Sequence, residues 1–475
     1  MKINHHPLTI SHQRGDIATP LLVITATFIV AIYAMLFLIS LQLDFSHRQV
    51  ASEESLHIAE AGINYYRWHL AHDPENYTGE TGTHTYTDPQ GSTTGQYELE
   101  VTPPQQGSSI VTIRSTGQTT QYPGVTRTIE AQYGRPSFAN FVFLNNGSIW
   151  YGEGLTIHGN VHSNNGIRMD GINTGIVSSS QDEYRCGSET GCHPPQWRPG
   201  VWGSGPGGDL GLWQFPVNPI DFDAVSFDFA QMKTSAQTEG LYLPESGSFG
   251  YHIIFNANGT FNVLKVLNKD YIEGYSSPGE GLGQDGQGGC RRRYQLITNE
   301  TSIGTYNVSN NPIIFIEDHA WVEGTVNGRV TVVTAGFPVT SRAMNIWIPN
   351  NIVYADYNSN HALGLIAQND IYIARDVPND FHVDGAIMAQ GGRIIRHGYW
   401  SGCGGPTNAL RNSLVINGAL ISYNKSYWNF NTDSDPEPES GFLTRTINYN
   451  SDFLYNPPPY FPVSGVYQFI SWKEE

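Results

Sequence analysis

Residues 17–72 read IATPLLVITATFIVAIYAMLFLISLQLDFSHRQVASEESLHIAEAGINYYRWHLAH, and this stretch decides the fold. The first 27 of them, Ile17 to Leu43, carry no charge, and about 20 apolar residues are enough to cross a bilayer. The run continues without a break to His72, so we expect one helix about 84 Å long at 1.5 Å per residue. A membrane anchor alone needs only the first half of such a helix.

The ends of the apolar run indicate a retained anchor, not a cleaved secretory signal. The apolar core of a signal peptide spans about 7–15 residues and ends in a small-residue cleavage site, which residues 43–45 do not offer. Asp16 can cap the helix, and Pro20 lies in the first turn, where its missing N–H costs little. Lys2 and Arg14 precede the span and favour a cytoplasmic N-terminus. We therefore expect a single-pass membrane protein with its bulk outside the cytoplasm or on the cell surface.

The later half of the helix carries one apolar stripe, whose positions alternate steps of three and four residues as in a heptad seam. The members of this seam are Leu56, Ala59, Ile63, Tyr66 and Leu70. Charged residues such as Glu53 and Arg67 fall elsewhere on the helix. Two partners fit the seam: the globular part of the same chain, and the helices of neighbouring subunits.

Two motifs in this region resemble those of type IV pilin-like proteins, above all the minor pilins of the PilX type and their pseudopilin relatives. They are Arg14-Gly15, before the apolar run, and the segment AEAGI at residues 59–63. The resemblance covers residues 14–72. It implies cleavage by a prepilin peptidase between Gly15 and Asp16, and assembly of the helix with other pilin-like subunits. The chain has Asp16 where the family usually has an apolar or aromatic residue, and Pro20 where many members have Glu.

The composition after His72 is typical of a β protein. The chain has 475 residues, enough for two or three units, with 51 glycines, 26 tyrosines and only 14% charged residues. Short apolar stretches alternate with turn-forming residues. The net charge of −18 would repel nucleic acid and anionic lipid headgroups, so we expect no nucleic-acid partner.

A small antiparallel β domain is predicted directly after the helix. Residues 97–101, 110–115 and 126–133 are rich in β-branched and aromatic residues, and Pro and Gly lie between them. A long helix followed by such a sheet is also what the resemblance to pilins implies.

A degenerate repeat begins near residue 138. In each copy, an apolar residue is followed two positions later by a Gly and two positions after that by another apolar residue. Its copies are Ile157-His158-Gly159-Asn160-Val161, Val322-Glu323-Gly324-Thr325-Val326, Val383-Asp384-Gly385-Ala386-Ile387 and Ile416-Asn417-Gly418-Ala419-Leu420. Two short strands that meet at a Gly corner would produce this spacing. Comparable strands return after roughly 17–20 residues, which predicts a parallel β-helix (solenoid) body; a β-sandwich is the alternative.

An insertion is expected to interrupt this body. It contains three of the four cysteines, a predicted helix over residues 221–240 with one apolar face (Phe222, Val225, Phe229 and Met232), and a hairpin at Asn258-Gly259. The fold class is therefore α+β, mostly β, with these predicted segments: a cytoplasmic leader (1–16), the long transmembrane helix (17–72), the small β domain (73–137), the solenoid-like body (138–428) with its insertion (183–300), and an acidic Pro-rich loop with an aromatic C-terminal tail (429–475).

The four cysteines predict two disulfides, because export across a membrane exposes thiols to oxidation. Cys186 and Cys192 would close a small loop, and Cys290 would pair with Cys403 and pin the insertion to the body. Four reduced thiols or a metal site are the alternatives.

No motif in the sequence indicates catalysis, a cofactor or a metal. The best polar cluster contains Arg375, Asp376, Asp380, His382, Asp384, Arg393 and Arg396. We interpret Asp380 as a loop residue and Asp384 as the exposed residue of a Gly corner, since both are favoured in turns. His69 and His72 lie on nearby helix turns but lack a third ligand in the sequence.

The sequence thus favours a non-enzymatic, minor pilin-like surface protein that presents a β-rich rod for adhesion or pilus biogenesis. Its expected partners are other pilin-like subunits, the membrane, and a surface carbohydrate or protein ligand. The first alternative is a membrane-anchored extracellular β-helix protein that binds or acts on polysaccharide. A structural envelope protein is the second.

Overall fold

The computed structural model describes residues 17–105, 108–204, 210–222, 224–276, 289–339, 342–403, 409–430, 438–463 and 466–475. Two compact units divide the chain. The helix unit comprises Met1–Thr102, Thr112–Gln132 and Ile470–Glu475, and the body comprises Pro103–Val111 and Tyr133–Phe469.

The described residues form two α-helices and 31 strands. The helices are α1 (Ala18–His72) and α2 (Ala224–Glu239). The first fifteen strands are β1 (Gly82–Thr87), β2 (Thr93–Thr102), β3 (Ile110–Thr119), β4 (Thr126–Gly134), β5 (Phe143–Asn145), β6 (Ile149–Tyr151), β7 (Leu155–His158), β8 (Val161–Ser163), β9 (Ile167–Met169), β10 (Ile172–Asn173), β11 (Val177–Ser179), β12 (Glu183–Cys186), β13 (Gln196–Pro199), β14 (Val201–Trp202) and β15 (Trp213–Gln214). The others are β16 (Leu241–Leu243), β17 (Tyr251–Asn256), β18 (Thr260–Ser276), β19 (Gly289–Asn307), β20 (Ile313–Ile316), β21 (Ala320–Val326), β22 (Arg329–Thr334), β23 (Ile346–Ile348), β24 (Ile352–Tyr354), β25 (Ala362–Ala367), β26 (Ile371–Ile373), β27 (Asp380–Ala389), β28 (Ile394–Ile395), β29 (Leu410–Ser422), β30 (Gly441–Asn448) and β31 (Gln468–Glu474).

The small sheet has the strand order β1-β2-β3-β4-β31. The pairings of β1 with β2 and of β2 with β3 are antiparallel. The sequence did not indicate the fifth strand, because it comes from the C-terminal tail. Ion pairs join this end of the chain to the sheet: Lys473 on β31 pairs with Glu130 on β4 at 3.1 Å, and Glu475, just after β31, pairs with Arg114 on β3 at 2.8 Å.

The later half of α1 packs against this sheet at very short range. A Cβ on Gly62 would meet Ser115 Oγ and lie 2.8 Å from the ring of Tyr97, and a Cβ on Gly117 would meet the backbone of α1. Ser55 Oγ donates to the carbonyl oxygen of Val125 at 2.9 Å. Glycine on both surfaces is therefore what allows helix and sheet to approach so closely.

The body is mostly β and mostly parallel. Row 1 contains β16, β20, β22, β25, β27, β29, β5, β8, β11 and β15, in this spatial order. Row 2 contains β17, β21, β24, β27, β29, β30, β7 and β10, and row 3 contains β21, β23, β26 and β28. Every pairing within the three rows is parallel.

The spatial order of the strands differs from their sequence order. β5 lies beside β29, and β7 lies beside β30. Residues 143–179, which come first in the body's sequence, therefore extend rows 1 and 2 beyond the strands that come last. Residues 241–256, which the sequence analysis placed in the insertion, provide β16 and β17 at the other end of the rows. Their short apolar strands have the same pattern as the rest of the body, and this explains why they pair with it.

The Gly corners lie where rows 2 and 1 meet. Gly385 pairs with Gly418, and both have positive φ angles (146° and 152°), as does Gly159 (141°). The repeat copy around Gly324 (φ 112°) lies instead where β21 leaves row 3 for row 2. The predicted return of 17–20 residues is too short for several of the strand pairings, since Val332 pairs with Leu365 and Ile387 with Leu420, in each case 33 positions later.

Row 1 is buried on both faces, which explains its continuous apolar runs. Its inward side chains stack at equivalent positions, namely Ile314, Val332, Leu365, Ile387 and Leu420. Its outer face is covered by α2 and by the segment 453–461. The predicted helix and the predicted hairpin between β17 and β18 are confirmed. Phe222, Phe229 and Met232 are buried, whereas the side chain of Val225 lies outside the described residues.

The longest hairpin, β18–β19, extends beyond β17 and lies over the outer face of row 3. Val266 and Ile297 pack against the aromatic side chains of that row. Two further contacts hold the hairpin: Trp321 Nε1 donates to the carbonyl oxygen of Gln295 at 2.9 Å, and Gln295 Nε2 donates to Tyr399 Oη at 2.8 Å.

Candidate functional site: an exposed apolar helix and an aromatic groove

The first half of α1 is apolar and has no packing partner in the part of the chain that the structure describes. The helix is long and apolar enough to cross a membrane, and none of its most apolar 18-residue stretch is buried. Large apolar side chains are exposed around its whole circumference from Ile17 to Val50. Soluble monomers rarely expose apolar patches beyond a few hundred Å², so this half-helix fits a membrane anchor. The predicted processing residues Gly15 and Asp16 lie outside the described residues.

The seam of α1 packs on the chain's own sheet, which is the first of the two alternatives that the sequence left open. Ala59, Ile63, Tyr66 and Leu70 are buried there, whereas Leu56 is only partly buried. The buried face also includes Ala51, Ser55, Ile58, Gly62 and His69. The seam side chains are therefore occupied by contacts within the chain.

His69 and His72 do not converge on a common site. His69 Nε2 donates to the carbonyl oxygen of Asn76 at 2.9 Å, and His72 Nδ1 donates to that of Trp68 at 2.8 Å. Within the described ranges, no three His, Cys, Asp or Glu side chains are grouped closely enough to hold a metal ion.

Asp384 is fully buried, so the sequence-based interpretation of it as exposed is wrong. Its carboxylate accepts hydrogen bonds from Tyr354 N (2.9 Å), Tyr357 Oη (2.8 Å) and Asn417 Nδ2 (2.8 Å), and it lies 2.8 Å from His382 Nε2. Burial acts to raise the pKa of Asp384, but the bonds from His382 and Tyr354 N outweigh burial and lower it. Through Tyr354 and Tyr357, the carboxylate holds the segment that connects β24 with β25.

The other members of the predicted polar cluster are taken up by structural contacts. Arg375 pairs with Asp376, and the buried guanidinium of Arg396 donates to the carbonyl oxygens of Arg375 at 3.1 Å and Ala409 at 2.8 Å. Asp380 accepts from Ser413 Oγ at 2.8 Å, and the backbone N–H of Arg393 donates to Asp370 at 2.9 Å.

The four cysteines lie in two pairs. Cys186 and Cys192 are bonded within the small loop that begins at β12, with their Cα atoms 5.6 Å apart. Cys290, at the start of β19, is bonded to Cys403, with their Cα atoms 5.4 Å apart. The second bond ties the long hairpin to the segment that follows β28.

A groove of about 460 Å³ lies on the surface of the body, and we call it the aromatic groove. Trp150, Tyr427, Trp428 and Phe430 provide rings to its lining, and the cationic side chains there are Lys425 and Arg445. The sequence did not indicate this site, because its two halves, residues 143–155 and 425–445, are far apart in the chain. The pairing of β7 with β30 brings them together.

Arg445 is a cation without an ionic partner among the described residues. Its Nη2 donates to the carbonyl oxygen of Glu153 at 3.3 Å, and its Nε is buried without a hydrogen-bond partner. Burial lowers the pKa of Arg445. Glu153 also lines the groove, but its carboxylate is exposed and forms no ion pair with Arg445.

Comparisons with known proteins gave few matches. No protein-family model matches the chain, and no curated protein matches it. Three solved chains match, one of which is the competence-associated pilin ComZ from Thermus thermophilus. That match has 15% identity and a TM-score of 0.27, and it covers 90% of this chain and 98% of ComZ.

Proposed function

We propose that this chain is a minor pilin-like surface protein of the PilX type. The exposed half of α1 would anchor it in the membrane and assemble with other pilin-like subunits, and the body would be presented outside. The division of α1 carries this proposal: one half is apolar and unpacked, and the other is packed on a small antiparallel sheet. The AEAGI motif at residues 59–63 lies in the packed half, where Gly62 permits the close approach to the sheet.

We further infer that the body winds as a parallel β-solenoid. The parallel registers of rows 1 to 3, the stacked inward side chains and the paired positive-φ glycines support this winding. A rod of this kind suits projection away from a surface, in adhesion or in pilus biogenesis. The engagement of the polar cluster's side chains in structural hydrogen bonds and ion pairs supports a role without catalysis.

Topology and processing follow from the same proposal. Lys2 and Arg14 would keep the N-terminus in the cytoplasm, and a prepilin-type peptidase would cut between Gly15 and Asp16. The mature N-terminus, read by mass spectrometry from the native membrane, tests this directly. We expect Asp16 as the first residue, and an intact Met1 would leave a plain membrane anchor.

Assembly needs a second measurement. We expect the wild-type protein in surface material released by mechanical shear, and we expect Gly15→Val to remain in the membrane because its leader is not removed. Equal recovery of both proteins in sheared material, or of neither, would contradict assembly after processing. Ala18→Val, three residues away, is the matched control and should behave as the wild type.

The alternative is an anchored protein that binds polysaccharide without entering a filament. The aromatic groove fits the binding part of this alternative, because Trp150 is exposed there beside the cationic side chains of Lys425 and Arg445. Recovery only in the membrane fraction, together with binding of a polysaccharide, would support this alternative over the filament.

A further inference from the structure

The aromatic groove has the size of a ligand site. Its volume of about 460 Å³ falls within the range of roughly 300–1,000 Å³ that small-molecule sites occupy. Trp150 is 38% exposed and Leu443 is 47% exposed at its surface, while Phe143, Tyr151 and Leu155 form a buried base. The rims come from strands that pair with each other, so the groove is built into the sheet.

Arg445 has no ionic partner in the described part of the chain, and this indicates the charge of the groove's ligand. Charged groups that are withdrawn from water normally have an ionic partner, because desolvation of a lone charge is costly. Within the ranges that the structure describes, Arg445 is bonded to the carbonyl oxygen of Glu153 and to no carboxylate. A planar guanidinium is also the group that best matches a carboxylate, to which it can donate two parallel hydrogen bonds.

Trp150 is held in place from outside the groove lining. Arg168 lies 4.1 Å from its ring centroid and is itself paired with Asp170 at 2.7 Å. Trp150 Nε1 donates to Asp170 at 2.8 Å, which fixes the indole plane. Lys425, which does line the groove, lies 5.9 Å from the same centroid. The exposed part of this fixed ring can pack on the C–H face of a sugar, while Arg445, which also lines the groove, binds an acidic substituent.

We propose that the aromatic groove binds a short oligosaccharide that contains a carboxylate-bearing sugar, with Arg445 on the carboxylate and Trp150 against a sugar ring. This inference deepens the proposed role of the body as a presented surface and rests on it. The net charge of −18 disfavours a long polyanion, so a short or sparsely charged glycan fits better. An acidic peptide would satisfy Arg445 but would leave the ring faces without a matching partner.

Isothermal titration of the full-length protein in detergent micelles tests the proposal. The probes are tetragalacturonate, its methyl ester and hexaglutamate. We expect tetragalacturonate to bind, and the ester and the peptide to bind at least tenfold more weakly. No binding of tetragalacturonate, or equal binding of the ester or of hexaglutamate, would overturn the proposal; in the last case, the groove is a site for acidic peptides.

Matched variants localise the effect. Arg445→Gln should weaken tetragalacturonate binding by about tenfold or more, the size of one lost charge-assisted hydrogen bond. Arg185→Gln removes the same charge from an exposed position outside the groove and should leave affinity unchanged. Trp150→Ala should also weaken binding, whereas Trp197→Ala, at a 67% exposed position, should not.

A second groove variant keeps the test decisive if the first one does not fold. Should Arg445→Gln not fold, Lys425→Gln replaces it as the groove variant, with an expected loss of threefold or more. Equal losses in groove and control variants would overturn the assignment to this groove.

Failure of the binding assay is distinguishable from failure of the proposed function. Shear release from cells does not depend on the groove, so failure of sugar binding would leave assembly through α1 intact.

Discussion

Trp321 and Trp347 are register partners on β21 and β23, and their rings stack with centroids 4.7 Å apart and planes 15° from parallel. Tyr372 continues the stack, 5.4 Å from Trp347. All three rings are buried beneath the long hairpin. A slip of one residue would turn every ring to the opposite face, so the stack fixes the register of row 3.

Trp347→Ala should destabilise the body by about 3–5 kcal/mol, because it removes the central ring and leaves a cavity. Urea unfolding of the full-length protein in detergent measures the change. Trp197→Ala is the control, since that ring is largely exposed, and we expect its effect to stay within about 0.5 kcal/mol. If the two substitutions changed the free energy of unfolding equally, the stack would not contribute to the stability of the body.

His252 should make stability depend on pH, because it lies 2.9 Å from both Glu300 on β19 and Glu323 on β21. Burial alone would lower the pKa of His252, but the bonds to Glu323 and Glu300 outweigh burial and raise it above 6.5. The stabilisation is therefore complete below about pH 6.5 and is lost as the pH rises through the folded pKa.

The test compares melting temperatures of wild type and His252→Gln between pH 5.5 and 9. At the acidic end, the free energy of unfolding of the wild type should exceed that of His252→Gln by about 1–3 kcal/mol, as for hydrogen bonds to charged groups, so the wild type should melt at the higher temperature. Both differences should shrink toward pH 9. His158→Gln, at an exposed position, controls for the loss of an imidazole. A difference that is constant with pH would contradict the role of protonation.

The two disulfides should differ in their effect on stability, because they close loops of different length. The Cys290–Cys403 bond spans 113 positions and should contribute about 4–5 kcal/mol, whereas the six-residue separation of Cys186 and Cys192 should contribute about 2 kcal/mol. Paired Cys→Ser variants, studied by urea unfolding, measure both. Non-reducing peptide mapping checks the connectivity, and four free thiols would contradict it.

Gly418→Ala should destabilise the corner between rows 2 and 1 by about 1–3 kcal/mol, since side chains are strained at positive φ. The added Cβ would also meet the carbonyl oxygen of Gly385 on the neighbouring strand. Gly152→Ala is the matched control, because a Cβ there meets nothing within 4 Å. Thermal unfolding of the two variants should separate them, and similar melting temperatures would refute the steric argument.

Ile63→Asp should loosen the helix unit without releasing the protein from the membrane. The carboxylate would be buried against the sheet without a partner, at a cost of about 3 kcal/mol or more. Hydrogen exchange of residues 82–133 should accelerate, while fractionation still finds the chain in the membrane. Asn64→Asp adds the same charge at the adjacent exposed position and should change neither measurement.

The sequence predicted those features that depend on local patterns. Apolar periodicity identified α1 and its seam, the Asn258-Gly259 pair identified the β17–β18 turn, and the spacing of Gly385 and Gly418 identified a corner. Leu56 belongs to the heptad by spacing, but Ile58 is more deeply buried. A helix that packs on a sheet buries a different set of side chains from a helix that packs on a parallel helix.

Features that depend on long-range pairing were not accessible from the sequence. The aromatic groove requires β7 and β30 to be neighbours, and no local pattern specifies this. Asp384 has the sequence context of an exposed turn residue, yet Tyr354 on β24, Tyr357 after it and Asn417 on β29 all donate hydrogen bonds to it. The tail strand β31 likewise joins a sheet whose other strands precede it by more than 300 residues.

The position of β30 between β29 and β7 has a consequence for biosynthesis. Residues 155–158 emerge early from the ribosome, but their partner strand emerges almost last. Until then, the edge of β7 that β30 will occupy stays open, and long-range pairing of this kind is slow and prone to aggregation. Folding of this chain therefore demands that its early strands be kept apart from other nascent chains until the C-terminal strands have been synthesised.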